Sequence, residues 1–189
     1  YPLFVASSMP VRDLQSFGVR RPHPPRVAAN RGASGIDGTV ACAAGYGAGL
    51  DQRVTVLLGD QALLHDLSSL PALTQLPRPP VLVVVNNGGG GIFSLLPIAS
   101  SGALEPSQFE TLFAAGHSWS FGPLAEAFGL AHHTPSSPGS LREALHQAHT
   151  EDQPALIEVR TSRGENATWH RSLAEGARAA AEASIEETP

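Results

Sequence analysis

The sequence predicts an α/β fold with a largely parallel sheet, and three observations carry that prediction. Short apolar runs recur at residues 3–6, 26–29, 54–58, 81–85 and 155–159, with helical patterns between most of them. The run 81–85, VLVVV, is apolar throughout, as suits a strand buried on both faces of a parallel sheet. Runs 54–58 and 81–85 both stop abruptly, the first in Gly59-Asp60, the second in Asn86-Asn87 and four glycines. Ligands of open α/β sheets sit at the carboxyl ends of the strands. This βαβ unit is therefore the stretch around which the chain is organised.

The elements follow in order. Residues 3–6 form a first short strand. Residues 9–17 read as a helix, with Pro10 tolerated near its start and Gly18 as its stop. A Pro/Arg loop leads to the strand 26–29. Ser34 can cap a helix over 35–49, whose small residues Ala41, Ala43, Ala44, Gly45 and Gly47 allow close approach to a sheet or a second backbone. After strand 54–58, residues 63–76 carry Leu64, Leu67, Leu70 and Leu73 along one side, and the proline-rich 77–80 ends that helix. Beyond strand 81–85, residues 98–107 are a polar loop. Residues 109–115 and 123–128 read as short helices, with Trp119 and Phe121 between them. Residues 129–132 suit a strand, and Ser140 suits the cap of a helix ending near 149. ALIEV at 155–159 is the last strand, and the Ala-rich 167–187 a terminal helix.

Composition narrows the function. At 189 residues the chain has the size of one domain with a real core. Its net charge is −5 and all twelve basic residues are Arg, which gives no basic patch for nucleic acid and no polybasic membrane anchor. No apolar stretch approaches membrane-spanning length. A single cysteine, Cys42, fits a reducing compartment and a cytoplasmic location. The chain opens YPLFVASS, without Met and almost directly in a strand-like run, which suggests a piece of something longer.

Asp60 follows one buried strand and Asn87 the next, so their side chains share one edge. A carboxylate, an amide oxygen and a backbone carbonyl among the glycines make a partial oxygen cage, of the kind hard cations such as Mg²⁺ take together with phosphate and water. Backbone N–H groups after Asp60 and in the run 88–91 would face the anion. Gly-Asp and Asn-Asn-Gly are each ordinary turn signals alone. On neighbouring strands, with four glycines, they point instead to a diphosphate bridged to the protein by a divalent metal. GxxxxGK[ST] and a helix-opening GxGxxG are both absent, which weakens nucleoside triphosphate and NAD readings. The eight histidines lack HExxH or CxxC-type spacing and read mostly as surface or packing residues.

Gly59-Asp60 followed by Asn86-Asn87 resembles the metal-diphosphate signature of thiamine-diphosphate enzymes. NRGASGIDG at 30–38, HDLSSL at 65–70, NNGGGGIFSLLP at 86–97 and FETLF at 109–113 narrow the resemblance to the MenD family, the 2-succinyl-5-enolpyruvyl-6-hydroxy-3-cyclohexene-1-carboxylate (SEPHCHC) synthases of menaquinone or phylloquinone biosynthesis. It runs from about Leu3 to Val159 and covers the third, diphosphate-binding domain of those three-domain enzymes, with a three-layer α/β/α fold.

The resemblance implies thiamine diphosphate and Mg²⁺, or Mn²⁺, as cofactors. Asp60, Asn87 and the Gly89 carbonyl would be the metal ligands. Ile36, Gln61, Ala62 and Ile92 would complete the cofactor-binding set, with Ile36 as the stiff wedge that bends the cofactor. Ser8, Arg12 and Arg31 would face the carboxylates of 2-oxoglutarate and isochorismate, and Phe93 and Leu96 would form an apolar wall. The implied reaction is decarboxylation of 2-oxoglutarate and conjugate addition of the resulting succinyl carbanion to isochorismate. The activating glutamate belongs to the family's N-terminal domain, so this chain alone is expected to be inactive, to bind metal-diphosphate weakly and to form homo-oligomers. Two positions depart from the family: Ala62 stands where a hydroxyl residue is typical, and Gly88 where a third Asn often follows. An acetolactate-synthase type of carboligase and a non-catalytic diphosphate-binding domain are the alternatives.

Overall fold

The computed structural model describes residues 1–19, 21–30, 35–151 and 153–186. Six strands, β1 (Leu3–Val5), β2 (Val27–Ala29), β3 (Thr55–Gly59), β4 (Val81–Asn86), β5 (Ala131–His133) and β6 (Ala155–Arg160), form one sheet in the order β2-β1-β3-β4-β6-β5. Every pairing is parallel, and Gly59 lies opposite Val85, which brings the two loaded strand ends side by side. The helices are α1 (Met9–Phe17), α2 (Thr39–Leu50), α3 (Asp60–Leu64), α4 (Leu70–Leu73), α5 (Pro106–Phe109), α6 (Gly122–Ala127), α7 (Pro138–Thr150) and α8 (Arg163–Glu186).

The period-two alternation of strand side chains divides the core between two faces. Val56, Leu58, Leu82, Val84 and Leu156 pack with Val40 and Ala43 of α2, Leu63 of α3, Leu70 and Leu73 of α4 and Ala125 of α6. On the other face Val81, Val83, Ala155 and Ile157 pack with Ala144 and Ala148 of α7. The result is a three-layer α/β/α arrangement. β1 leads toward β2 at one edge, whereas β3 leads toward β4 in the other direction. The carboxyl ends of β1 and β3 thus flank a point where the strand order reverses, the crevice where open α/β sheets hold ligands. No helix among the described residues is long and apolar enough to cross a membrane.

Three local expectations are corrected. The helix expected over 63–76 is broken into α3, a 3₁₀ turn at Leu67–Ser69 and α4. The break frees Asp66, whose buried carboxylate accepts the N–H groups of Val40 (2.6 Å) and Ala41 (3.1 Å) through Oδ2 and the Ser69 hydroxyl (2.5 Å) through Oδ1. Helix α2 accordingly starts at Thr39 rather than 35, and Asp66, from a distant segment, satisfies N-terminal amides that its own N-cap residue Gly38 does not. The expected cap Ser34 lies outside the described residues. Helix α7 is capped by Ser137 instead of Ser140, the two forming a reciprocal pair in which each hydroxyl accepts the other's N–H, at 3.1 and 3.0 Å. Of the small residues of α2, Ala43 and Gly47 face inward, and a Cβ on Gly47 would stand 3.0 Å from the Gln52 carbonyl.

Asp66→Ala strips α2 of this remote cap and is expected to destabilise the chain by about 2 kcal/mol in urea denaturation, more than a surface substitution costs. Unchanged stability would show that α2 does not depend on it.

Candidate cofactor and metal site

Asp60 is the first residue of α3, immediately beyond β3, and is only 2% exposed. Its Oδ1 accepts the Gln61 N–H at 2.6 Å and its Oδ2 the Gly89 N–H at 2.9 Å. The imidazole of His117 is also buried and places Nε2 3.3 Å from Oδ2. No lysine or arginine contact offsets the carboxylate among the described ion pairs. A carboxylate this deeply buried is costly unless a counter-charge reaches it.

The second half of the site is the loop after β4. Gly88 and Gly89 adopt φ of 74° and 143°, backbone that glycine enters at little cost. A Cβ would stand 2.8 Å from the His117 carbonyl oxygen at Gly88 and 2.5 Å from that of Ala114 at Gly89. The glycines therefore let segment 114–117 close over the loop. Gly88 is pinned on both sides: its N–H donates to Asn86 Oδ1 (3.2 Å) and its carbonyl accepts the His117 N–H (3.0 Å).

The same hydrogen bonds correct the expected anion cradle. Gly88 N–H goes to Asn86 and Gly89 N–H to Asp60, while Gly90 N–H bonds Ala114 O at 2.6 Å and Gly91 N–H bonds Gly89 O at 3.0 Å. All four amides are used inside the protein, and the Gln61 N–H is turned onto Asp60. The run 88–91 shapes the loop and does not present donors to an anion.

The side-chain oxygen of Asn87 is buried with no hydrogen-bond partner. An orphaned amide oxygen and a buried carboxylate just beyond adjacent strand ends fit a hard cation. The Gly89 carbonyl accepts only the Gly91 N–H among the described bonds, and a carbonyl oxygen has two lone pairs. Among the described residues no three His, Cys, Asp or Glu side chains gather as a metal site, so a cation here would take this mixed oxygen set.

Beneath the loop lies a polar rack. The fully buried Glu158 of β6 accepts from Asn86 Nδ2 (2.7 Å), the Phe121 N–H (3.1 Å) and Arg160 Nε (3.1 Å), and contacts His132 Nε2 at 3.0 Å. Asn86 also donates to the Trp119 carbonyl at 2.9 Å. Burial raises the Glu158 carboxyl, but its hydrogen bonds to Asn86, Phe121 and His132, with the Arg160 charge, outweigh that and hold it below the ordinary 4.5. Of the Asn pair, Asn86 is hydrogen-bonded into the loop, whereas the side-chain oxygen of Asn87 has no partner.

The other expected residues group at the same edge. Ser8, the N-cap of α1 three residues beyond β1, has φ 72° and ψ −133°, a strained backbone for a non-glycine residue and one that concentrates at functional sites. Arg12 donates from Nη1 to the Ser8 carbonyl at 2.6 Å, so one of its N–H groups steadies that turn. Ile36 is half-buried against the core, Ala62 is buried, and Gln61 Nε2 reaches the Ala115 carbonyl at 3.3 Å. Ile92 is half-buried, and Phe93 and Leu96 are 37% and 41% exposed. Phe93 meets Phe113 edge-on at 6.0 Å, and Phe113 stacks on Phe109 at 5.5 Å. Arg31 lies outside the described residues. A cavity of about 590 Å³ adjoins His117 between Glu110, Ala115 and Arg163. The sequence reading missed His117, Asn86 and Glu158. A usable signal existed only for Glu158, a charge inside the apolar run ALIEV that demands partners.

This fold and edge chemistry define a class. The chain belongs to the family described as thiamine pyrophosphate enzyme, C-terminal TPP binding domain, which matches residues 12–159. Among curated proteins it is 51% identical over 177 residues to the SEPHCHC synthase of Rubrobacter xylanophilus, covering 94% of this chain and 30% of that protein. It is 46% identical to the synthase of Salinibacter ruber, with 92% and 28% covered, and 44% identical to that of Chlorobium phaeobacteroides, with 90% and 29% covered. The chain thus spans about 30% of the length of these relatives. Two solved structures share the fold. The benzoylformate decarboxylase of Polynucleobacter necessarius has a TM-score of 0.68 at 16% identity, covering 86% of this chain and 30% of that one. A putative thiamin diphosphate-dependent enzyme isolated from Mycobacterium smegmatis has 0.62 at 23%, covering 85% and 28%.

The depressed Glu158 carboxyl sets a pH dependence. Its stabilisation is present in full above the ordinary value of 4.5 and is lost as pH falls through the lower folded value. Glu158→Gln is expected to be the less stable chain at pH 7 and to lose less further stability than wild type between pH 6 and 3, measured by urea denaturation at each pH. Equal acid losses would remove Glu158 from the account.

Proposed function

We propose that this chain is the diphosphate- and metal-binding third of a three-domain SEPHCHC synthase that converts 2-oxoglutarate and isochorismate in quinone biosynthesis. The observation that carries the proposal is the unpartnered Asn87 oxygen and the buried Asp60 carboxylate just beyond adjacent strand ends, in a chain so similar to those synthases. Asp60, Asn87 and the Gly89 carbonyl would hold Mg²⁺, with Mn²⁺ as a substitute, and Ile36, Gln61, Ala62 and Ile92 would contact thiamine diphosphate. When bound, that cofactor supplies the electron sink for decarboxylation.

The chain's own residues orient and confine. Ser8, Arg12 and Arg31 would bind substrate carboxylates, so that reacting carbons meet in near-attack geometry. Phe93 and Leu96 would wall the pocket and limit water. The glutamate that activates the cofactor would come from an N-terminal domain, and the functional unit would be a cytoplasmic homo-oligomer. Alone, these 189 residues would be inert.

Calorimetry tests the assignment. Mg²⁺ titrated in the presence of thiamine diphosphate is expected to bind the full-length protein and to bind Asp60→Ala more than about 100-fold more weakly, a larger loss than an outer partner of a ligand produces. Normal binding by Asp60→Ala would overturn the metal assignment.

A further inference from the structure

The buried ring of His117 has a geometry that the proposed site does not yet use. The Trp119 N–H donates to its Nδ1 at 3.3 Å, so Nδ1 holds a lone pair and Nε2 carries the ring proton. Nε2 is buried, has no aligned hydrogen-bond partner, and faces Asp60 Oδ2 at 3.3 Å. The ring is held by several neighbours. It stacks on Trp119 with centroids 5.1 Å apart, meets Phe121 edge-on at 6.3 Å, and its backbone N–H is tied to the Gly88 carbonyl at 3.0 Å. A rotatable surface side chain would have none of these constraints.

We infer that His117 is a positioning residue for the metal-binding carboxylate, one that orients Asp60 from behind through its Nε2–H. The inference rests on the cation-site reading above. Asp60 Oδ2 lies against two proton-bearing nitrogens, the Gly89 amide and the His117 ring. Neither is a lysine or arginine, so they fix the direction of the carboxylate without setting a permanent positive charge where a cation would bind. An arginine there would hold Asp60 equally well but would compete with the metal. The single residue also couples the halves of the site, because its side chain faces Asp60 while its main chain closes the Gly88 turn. Hydrogen-bonded partners of ligating carboxylates and imidazoles have this role in metal sites, and losing one costs 10–100-fold in metal affinity.

The test is Mn²⁺ binding, followed by the loss of its free-ion electron paramagnetic resonance signal, to the full-length protein with thiamine diphosphate present. His117→Phe keeps a flat ring for the Trp119 stack and removes the donor. His117→Gln returns an N–H donor on a flexible arm. The expected result is a roughly 10–100-fold weaker Mn²⁺ affinity for Phe, recovered largely by Gln, with metal-free melting temperatures of the folded variants alike. Wild-type affinity in His117→Phe would overturn the inference while leaving the cation site standing. Equal weakening in both variants, or a metal-free melting temperature that falls with affinity, would overturn it in favour of packing alone. If His117→Phe fails to fold, the Gln variant decides: near-wild-type affinity upholds the donor role and a loss like that of Asp60→Ala overturns it. Absence of Mn²⁺ binding by wild type would overturn the cation site and this inference together.

Discussion

A buried negative charge without a fixed positive partner is the constraint on which the site depends. Asp60 sits at the end of β3 with its oxygens engaged by two backbone amides and faced by one imidazole. Those contacts fix the direction of the carboxylate. Burial of this kind is costly without a counter-charge, and the side-chain oxygen of Asn87 at the neighbouring strand end is buried without a hydrogen-bond partner. The sheet makes the pairing possible, because parallel register sets Gly59 opposite Val85.

Around that charge the chain invests polar residues in rigidity. Glu158 on β6 ties Asn86, Phe121, His132 and Arg160 into one rack, and Asn86 passes the constraint to the Gly88 amide. Gly88 and Gly89 let segment 114–117 approach so closely that any side chain there would collide with its carbonyls. The loop is consequently held from below by Glu158 and from above by His117. Asp66 performs a comparable service at α2, binding its first amides from another segment.

Much of this was legible before any coordinates. Apolar runs that end in Gly-Asp and Asn-Asn state both a strand and its end, so the sheet, its parallel character and the neighbouring ends of β3 and β4 could be read locally. What could not be read is what depends on contacts between distant segments. Nothing near Asp66 says that it caps α2, and a leucine stripe over 63–76 conceals the break that frees it. The histidines read as packing residues because spacing signals report ligands close in sequence, whereas His117 meets Asp60 across the fold. Glycines 88–91 read as an anion cradle because glycine-rich loops often are one. Here their amides are consumed within the protein.

The central claim is that Asp60, Asn87 and the Gly89 carbonyl share one divalent cation, and anomalous scattering from a crystal of the full-length protein grown with Mn²⁺ and thiamine diphosphate tests it most directly. The account predicts a single strong peak at about 2.1–2.3 Å from oxygens of all three residues, with the Asn87 oxygen no longer orphaned. A peak elsewhere, or a bound cofactor with Asn87 still unliganded, would contradict it.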